Sequence, residues 1–165
     1  MRVLAAAAIV VAALSGLLAP AIALADSSVP KSAGGASLVM ASLERTACYG
    51  RCPIYTVTVL RDGTVTWQGR RFVKVVGSAT AKLPARTVAA LAAAFRRADF
   101  FALADRYDHR DVTDNPSAIT TFSDGTRTKK IDHYYGDESA PAALRELEAR
   151  VDELAGTARW VGQVR

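Results

Sequence analysis

The residue pattern predicts an α+β fold, an antiparallel sheet of about five or six strands with two helices packed on it. Three observations carry that expectation. Two β-rich stretches are each joined to a return stretch through Asp-Gly, at Asp62-Gly63 and Asp124-Gly125, the strongest short-range hairpin signal. Two other stretches place apolar residues at helical spacing. Hairpins impose antiparallel pairing, and helices that are apolar along one side need a sheet to lie on.

Taken in order, Leu38 to Thr46 reads as a first strand, with Leu38, Met40 and Ser42 alternating against Val39, Ala41 and Leu43. Ile54 to Leu60 (IYTVTVL) is rich in the β-branched and aromatic side chains that suit a pleated, half-buried surface. The return strand runs from Thr64 to Gln68, and Phe72 to Val76 adds a further strand after Gly69. Between Pro84 and Ala98 the period changes. Val88, Leu91, Phe95 and Ala98 share a side, Pro84 suits a first turn, and Arg96-Arg97 complement the helix dipole at its C-terminal end. Ile119 to Phe122 and Thr126 to Tyr135 make the second hairpin. The last helix takes Ser139 as N-cap and Pro141 in its first turn, and Gly156 stops it. Leu144, Leu147, Val151 and Leu154 form its apolar stripe, while Arg145, Glu146, Glu148, Arg150, Asp152 and Glu153 are expected to face water. The order is strand, hairpin, strand, helix, hairpin, helix.

A length of 165 residues gives a prior of one domain. Every residue among the first 25 except Arg2, Ser15, Gly16 and Pro20 is apolar, and the stretch ends Ala23-Leu24-Ala25. A positive start, an apolar middle and small residues at the minus-three and minus-one positions describe a secretory signal peptide over 1–25. Gly16, Pro20 and the alanine-rich centre argue against a membrane anchor. The next stretch, 26–37 (DSSVPKSAGGAS), reads as a flexible linker. The single α+β domain then spans 38–160, with a short tail over 161–165. The expected location is periplasmic or secreted, with no stable membrane span once the signal is cleaved.

The formal charge of +5 falls to +4 without Arg2, and the bases are scattered rather than run together. Nucleic acid is therefore not an expected partner. Ser28-x-x-Lys31 matches an S-x-x-K pattern, but it lies in the linker and no S-D-N or K-T-G follows.

Cys48-Tyr49-Gly50-Arg51-Cys52-Pro53 holds both cysteines of the chain. In an exported protein such a pair is most simply a disulfide. Gly50 is expected to free the backbone for a tight reversal, and Pro53 to open the next strand without donating to a ladder. A five-residue loop closed this way is worth roughly 2 kcal/mol. Two other chemistries fit the same pair. A thiol-redox site would need a thiolate lowered by a helix N-terminus or a cation. A copper(I) site would join the soft thiolates to an imidazole, with His133 or His109 offered as third ligand. His133 otherwise reads as a half-buried residue bonded to backbone, and His109 as a solvated residue of a charged loop. In that loop Asp105, Asp108, Asp111 and Asp114 are spaced by three, with Arg106 and Arg110 among them. Calcium loops of the EF-hand kind alternate their acids, so a solvated loop is expected. Tyr55, Trp67, Phe72, Phe95, Phe100 and Phe101 are assigned to the core. No G-x-S-x-G, P-loop, H-E-x-x-H or Rossmann fingerprint occurs.

From about Leu38 to Trp160 the chain resembles a bacterial family known only as a domain of unknown function. The resemblance rests on Cys48-x-Gly50-x-Cys52-Pro53-x-Tyr55, Asp62-Gly63, Gly69 and Phe100-Phe101-x-Leu103. It continues through Thr113-Asp114-x-Pro116, His133-Tyr134-x-Gly136, Pro141, Leu144 and Leu147. It implies one exported domain and brings no reaction with it.

The expected function is thus a non-enzymatic binding or interaction module of the cell envelope, with an envelope protein or ligand as partner and no cofactor or metal. The alternative is a periplasmic thiol-redox or copper(I)-handling protein using Cys48 and Cys52. An inhibitor of an envelope hydrolase, inserting the Asp105 to Pro116 loop into a cleft, is a third reading.

Overall fold

The computed structural model describes residues 38–162. The signal peptide expected over 1–25, the linker over 26–37 and the end of the tail, 163–165, lie outside the described residues. The elements are β1 (Val39–Arg45), β2 (Ile54–Leu60), β3 (Thr64–Arg71), β4 (Gly77–Lys82), α1 (Ala85–Arg97), β5 (Arg106–Tyr107), β6 (Ser117–Ser123), β7 (Thr128–Tyr134), α2 (Ala142–Ala155) and α3 (Ala158–Val161). The strands form one sheet in the order β4-β3-β2-β1-β6-β7-β5. All pairings are antiparallel except β5 with β7. The α+β class holds, with seven strands rather than five or six and a short third helix.

Both Asp-Gly turns form as expected. Asp62 accepts from the Thr64 amide at 2.8 Å and Asp124 from the Thr126 amide at 2.9 Å, so each carboxylate builds its own turn. The strand expected over Phe72–Val76 is not one. Phe72 takes φ +54, and the Lys74 and Val75 amides donate to Val161 and Trp160 carbonyls, which commits that stretch to α3. The fourth strand is Gly77–Lys82, whose small residues give little β signal. Its Ala79 and Ala81 stand opposite Trp67 and Val65 and pack, partly buried, against the core. The two residues of β5 were expected to be loop.

The sheet is one-sided. Leu43, Val57, Val59, Val65, Trp67 and Ile131 are buried beneath the helices, whereas the alternating Thr66, Gln68, Arg70, Ser78 and Thr80 are exposed. Under α1, Phe95 stacks on Phe122 with centroids 4.2 Å apart and meets the edge of Phe100 at 5.0 Å. Against β3, Trp67 lies between Tyr55 at 4.6 Å and Trp160 at 5.3 Å.

Both long helices start at a proline. Pro84 and Pro141 are the N-caps, and neither helix has a side-chain cap. Ser139, expected to cap α2, instead donates its hydroxyl to Asp137 at 2.6 Å and stands two residues ahead of the N-cap Pro141. Gly156 ends α2 in the left-handed conformation at φ 68, and the Thr157 amide reaches back to the Asp152 carbonyl at 3.1 Å.

Candidate functional site

Residues 46–53 leave β1 and return as β2. Cys48 and Cys52 are joined as a disulfide with their Cα atoms 5.8 Å apart. The bend is fastened to the neighbouring strand as well as to itself. The Thr46 amide donates to the Ser117 carbonyl at 3.0 Å, and the Thr46 hydroxyl accepts from the Ser117 amide at 2.7 Å. The Tyr49 amide donates to the Asp114 carbonyl at 3.1 Å. Gly50 does not serve the role expected of it. Its φ is not positive, and an added Cβ would make ordinary contact with the Cys48 sulfur at 3.5 Å. The bridge and the Tyr49 hydrogen bond shape the reversal.

The loop that receives Tyr49 is itself anchored. The Tyr134 hydroxyl donates to the Val112 carbonyl at 2.7 Å and accepts from the Asn115 amide at 3.0 Å. The Arg110 guanidinium lies 4.5 Å over the Tyr134 ring. The loop crosses so close that a Cβ on Gly136 would sit 2.4 Å from that ring and 2.7 Å from the Val112 carbonyl oxygen. Buried Asp137 accepts from the His109 amide and ring Nδ1, each at 3.0 Å, and from the Ser139 amide and hydroxyl. Ser139, then the His109 amide, hold its carboxyl well below the usual carboxylate range. His109 is exposed, as expected, yet it ties the loop to the start of α2.

The loop's other acids are dispersed. Asp105 pairs with Lys129 at 2.9 Å and Asp108 with Arg106 at 3.4 Å. Among the described residues no group of three or more His, Cys, Asp or Glu could hold a metal ion. Among the exposed, mostly charged residues of the two joined loops stand two large apolar side chains. Tyr49 is 88% exposed and Val112 is 58% exposed.

A polar network lies beneath α2. His133 Nδ1 is 2.8 Å from Glu148 Oε1, and both side chains are fully buried. The Tyr135 hydroxyl donates to Glu148 Oε2 at 2.8 Å and accepts from Arg45 Nη1. Arg45 also donates through Nη2 to Asp152 Oδ2 at 2.8 Å. The other Asp152 oxygen accepts from Tyr55 at 2.6 Å and Thr157 at 2.9 Å. Burial, with Glu148 adding to it against the pull of Arg45, pushes the Tyr135 phenol up to about 12. Burial and then Asp152 push Tyr55 up as well. At Arg45 burial works against the charge, but Asp152 and Tyr135 outweigh it and the guanidinium titrates above its ordinary value.

Two expectations are corrected here. His133 is bonded to a carboxylate rather than to backbone. Glu148 and Asp152 face the sheet rather than water, because Arg45, Tyr55 and Tyr135 supply partners that a buried carboxylate requires. A trace of this is visible in the spacing: Glu148 stands four residues after Leu144 and three before Val151, within the apolar stripe. His133 Nε2 has no partner and no exposure, so the histidine–carboxylate pair has no surface from which to take a proton from a substrate. Both imidazoles offered to the cysteines are engaged elsewhere, with Glu148 and with Asp137. Tyr49 and Val112 were missed. The tyrosine between two cysteines was the available signal; Val112 had none.

These features define a one-sided α+β domain whose sheet end is pinned by a disulfide. The chain matches the model of a family described as Domain of unknown function (DUF6438) over residues 40–155, and it belongs to that family. No curated protein matches it, and no solved structure does.

Proposed function

We propose that the domain is an exported, non-enzymatic binding module of the cell envelope that grips a protein partner with the disulfide-pinned end of its sheet. The observation that carries this reading is Tyr49. A large, almost fully exposed aromatic side chain sits on backbone held by the 48–52 bridge and by the bond to Asp114. Aromatic anchors dominate protein interfaces, and an anchor ordered beforehand loses little entropy on docking. Val112 lies two residues from Asp114 and adds apolar surface on the second loop. Exposed charged residues flank both in sequence: Arg51 beside Tyr49, and Arg110, Asp111 and Asp114 beside Val112. In this reading the disulfide is a staple that keeps the tip in shape. The signal-peptide pattern and a disulfide suit an oxidising compartment, and among the described residues no helix is long and apolar enough to cross a membrane.

The test is site-specific photo-crosslinking in the producing cell. A photoreactive residue at position 49 should give one discrete adduct, and Val112→Asp should abolish it. The same residue at Val76, which is 67% exposed and outside both loops, should give none. Equal adducts from both positions, or none from position 49, would overturn the proposal. A redox or copper(I) role would show separately, as a pair that titrates near the compartment's potential or a reduced protein that takes up one equivalent of copper(I).

A further inference from the structure

The end of the sheet that carries the disulfide also carries the β3–β4 connection. Strands β1 to β4 pair antiparallel in turn, and Ile54 stands opposite Arg71. Residues 48–53 and 69–77 (CYGRCP and GRRFVKVVG) contain four cations and no acid. Arg70 is matched, by Glu44 at 3.0 Å. Arg51, Arg71 and Lys74 are exposed and have no carboxylate partner among the described residues.

Two of these cations are gathered on one ring. The Arg51 guanidinium carbon lies 5.8 Å from the Phe72 centroid, and that of Arg71 lies 5.0 Å from it. Phe72 holds φ +54, in the left-handed region that bulky side chains avoid. The segment keeps that conformation because the Lys74 and Val75 amides donate to the Val161 and Trp160 carbonyls, each at 2.9 Å. Arg51 is set on backbone closed by the 48–52 bridge. Two like charges thus converge on fixed backbone with no described carboxylate to neutralise them, and strain of this kind persists where a surface is used.

Across the same end the sign changes. Asp111 and Asp114, on the loop that receives Tyr49, are exposed and have no cation partner among the described residues. An anionic bilayer is negative throughout and would be repelled by these acids. A protein surface can set its own acids opposite the arginines alone.

We propose that the partner presents a protein segment whose Asp or Glu carboxylates lie over Arg51 and Arg71, a step that rests on the domain being a protein-binding module. Planar guanidinium forks match the two oxygens of a carboxylate. Two residues before Arg51, exposed Tyr49 supplies the apolar contact. Complementarity of this kind selects the partner and speeds its capture.

The position-49 photo-crosslink in the producing cell tests it, with charge changes added to the whole protein. Arg51→Glu with Arg71→Glu should lower the adduct about tenfold or more, since like charges then face each other. Arg51→Gln with Arg71→Gln, a gentler change to the fold, should lower it by a smaller factor. Arg86→Glu with Arg97→Glu, an equal charge change on exposed residues of α1, should leave it unchanged. In the Arg51→Lys variant a water-soluble carbodiimide should join position 51 to an Asp or Glu of the same protein that position 49 captures. Three results would each overturn the acidic partner and leave the binding module standing: an adduct unmoved by both arginine pairs, an equal loss from the α1 pair, or no link from position 51 to a carboxylate of that protein. No adduct from position 49 in the parent would remove both.

Discussion

Under α1 the sheet is met by rings: Phe95 lies flat on Phe122 and Phe100 closes the edge. Under α2 the same face of the same sheet is met by charge, with Glu148 and Asp152 bonded to His133, Tyr135, Arg45 and Tyr55. Both helices carry a conventional apolar stripe, so the difference lies in what fills the space beside it. Rings that pack by shape tolerate another apolar group of similar volume. A buried ionic network has no such tolerance, because each group removed strands its partners in a medium that cannot solvate them. The α2 half therefore depends on the identity of single atoms, and the α1 half on volume.

The sharpest break of this contrast is Glu148→Ala, which leaves His133 and Tyr135 without their acceptor and Arg45 with Asp152 as its one carboxylate neighbour among the described residues. A loss of about 3–5 kcal/mol is expected, read from the urea midpoint. Phe95→Ala should cost about 3 kcal/mol, at the low end for a buried ring because Phe100 and Phe122 can close toward the gap. Its companion Phe95→Leu should recover most of that, whereas Glu148→Leu should recover little while Arg45 and His133 remain. Outside both halves, replacing Cys48 and Cys52 by serine should cost roughly 2 kcal/mol and show as a lower melting temperature.

Tyr135→Phe removes the hydrogen bond to Glu148 and the one accepted from Arg45, and should cost about 2 kcal/mol at neutral pH. It also changes the alkaline limb of the stability profile. A phenol whose folded value is raised contributes stability that is whole below the ordinary tyrosine value of about 10. That contribution is lost as pH climbs toward about 12. The variant should flatten this fall, leaving the part that belongs to Tyr55. Last, Glu146→Ala, on the same helix but facing water, should stay within about 0.5 kcal/mol of the parent. If Glu146→Ala and Glu148→Ala cost the same, the contrast between the halves is wrong.

Local chemistry was legible where it acts over short range. The IYTVTVL run, both Asp-Gly turns, the α1 period and the Gly156 stop all describe neighbours in the chain, and all formed. The β4 strand was hidden because Gly, Ser, Ala and Thr have weak strand preference and are placed by what they face, Trp67 and Val65. The ionic network was hidden for a related reason. Its members come from β1, β2, the end of β7 and α2, and the Arg45–Asp152 pair is separated by 107 residues. The nearness of the Cys48–Cys52 bend to the Asp114 loop follows from β1 pairing on its other side with β6, far along the chain, as well as with its sequence neighbour β2.

The position of the two tryptophans has a practical consequence. Trp67 and Trp160 are the whole complement of indoles in the chain, and they stand 5.3 Å apart where α3 rests on β3. Intrinsic fluorescence therefore watches one corner of the molecule, and would follow the peeling of its last helical turn rather than the melting of either half of the core. A transition seen by emission ahead of the one seen by far-ultraviolet dichroism would mark that turn as the first part to open.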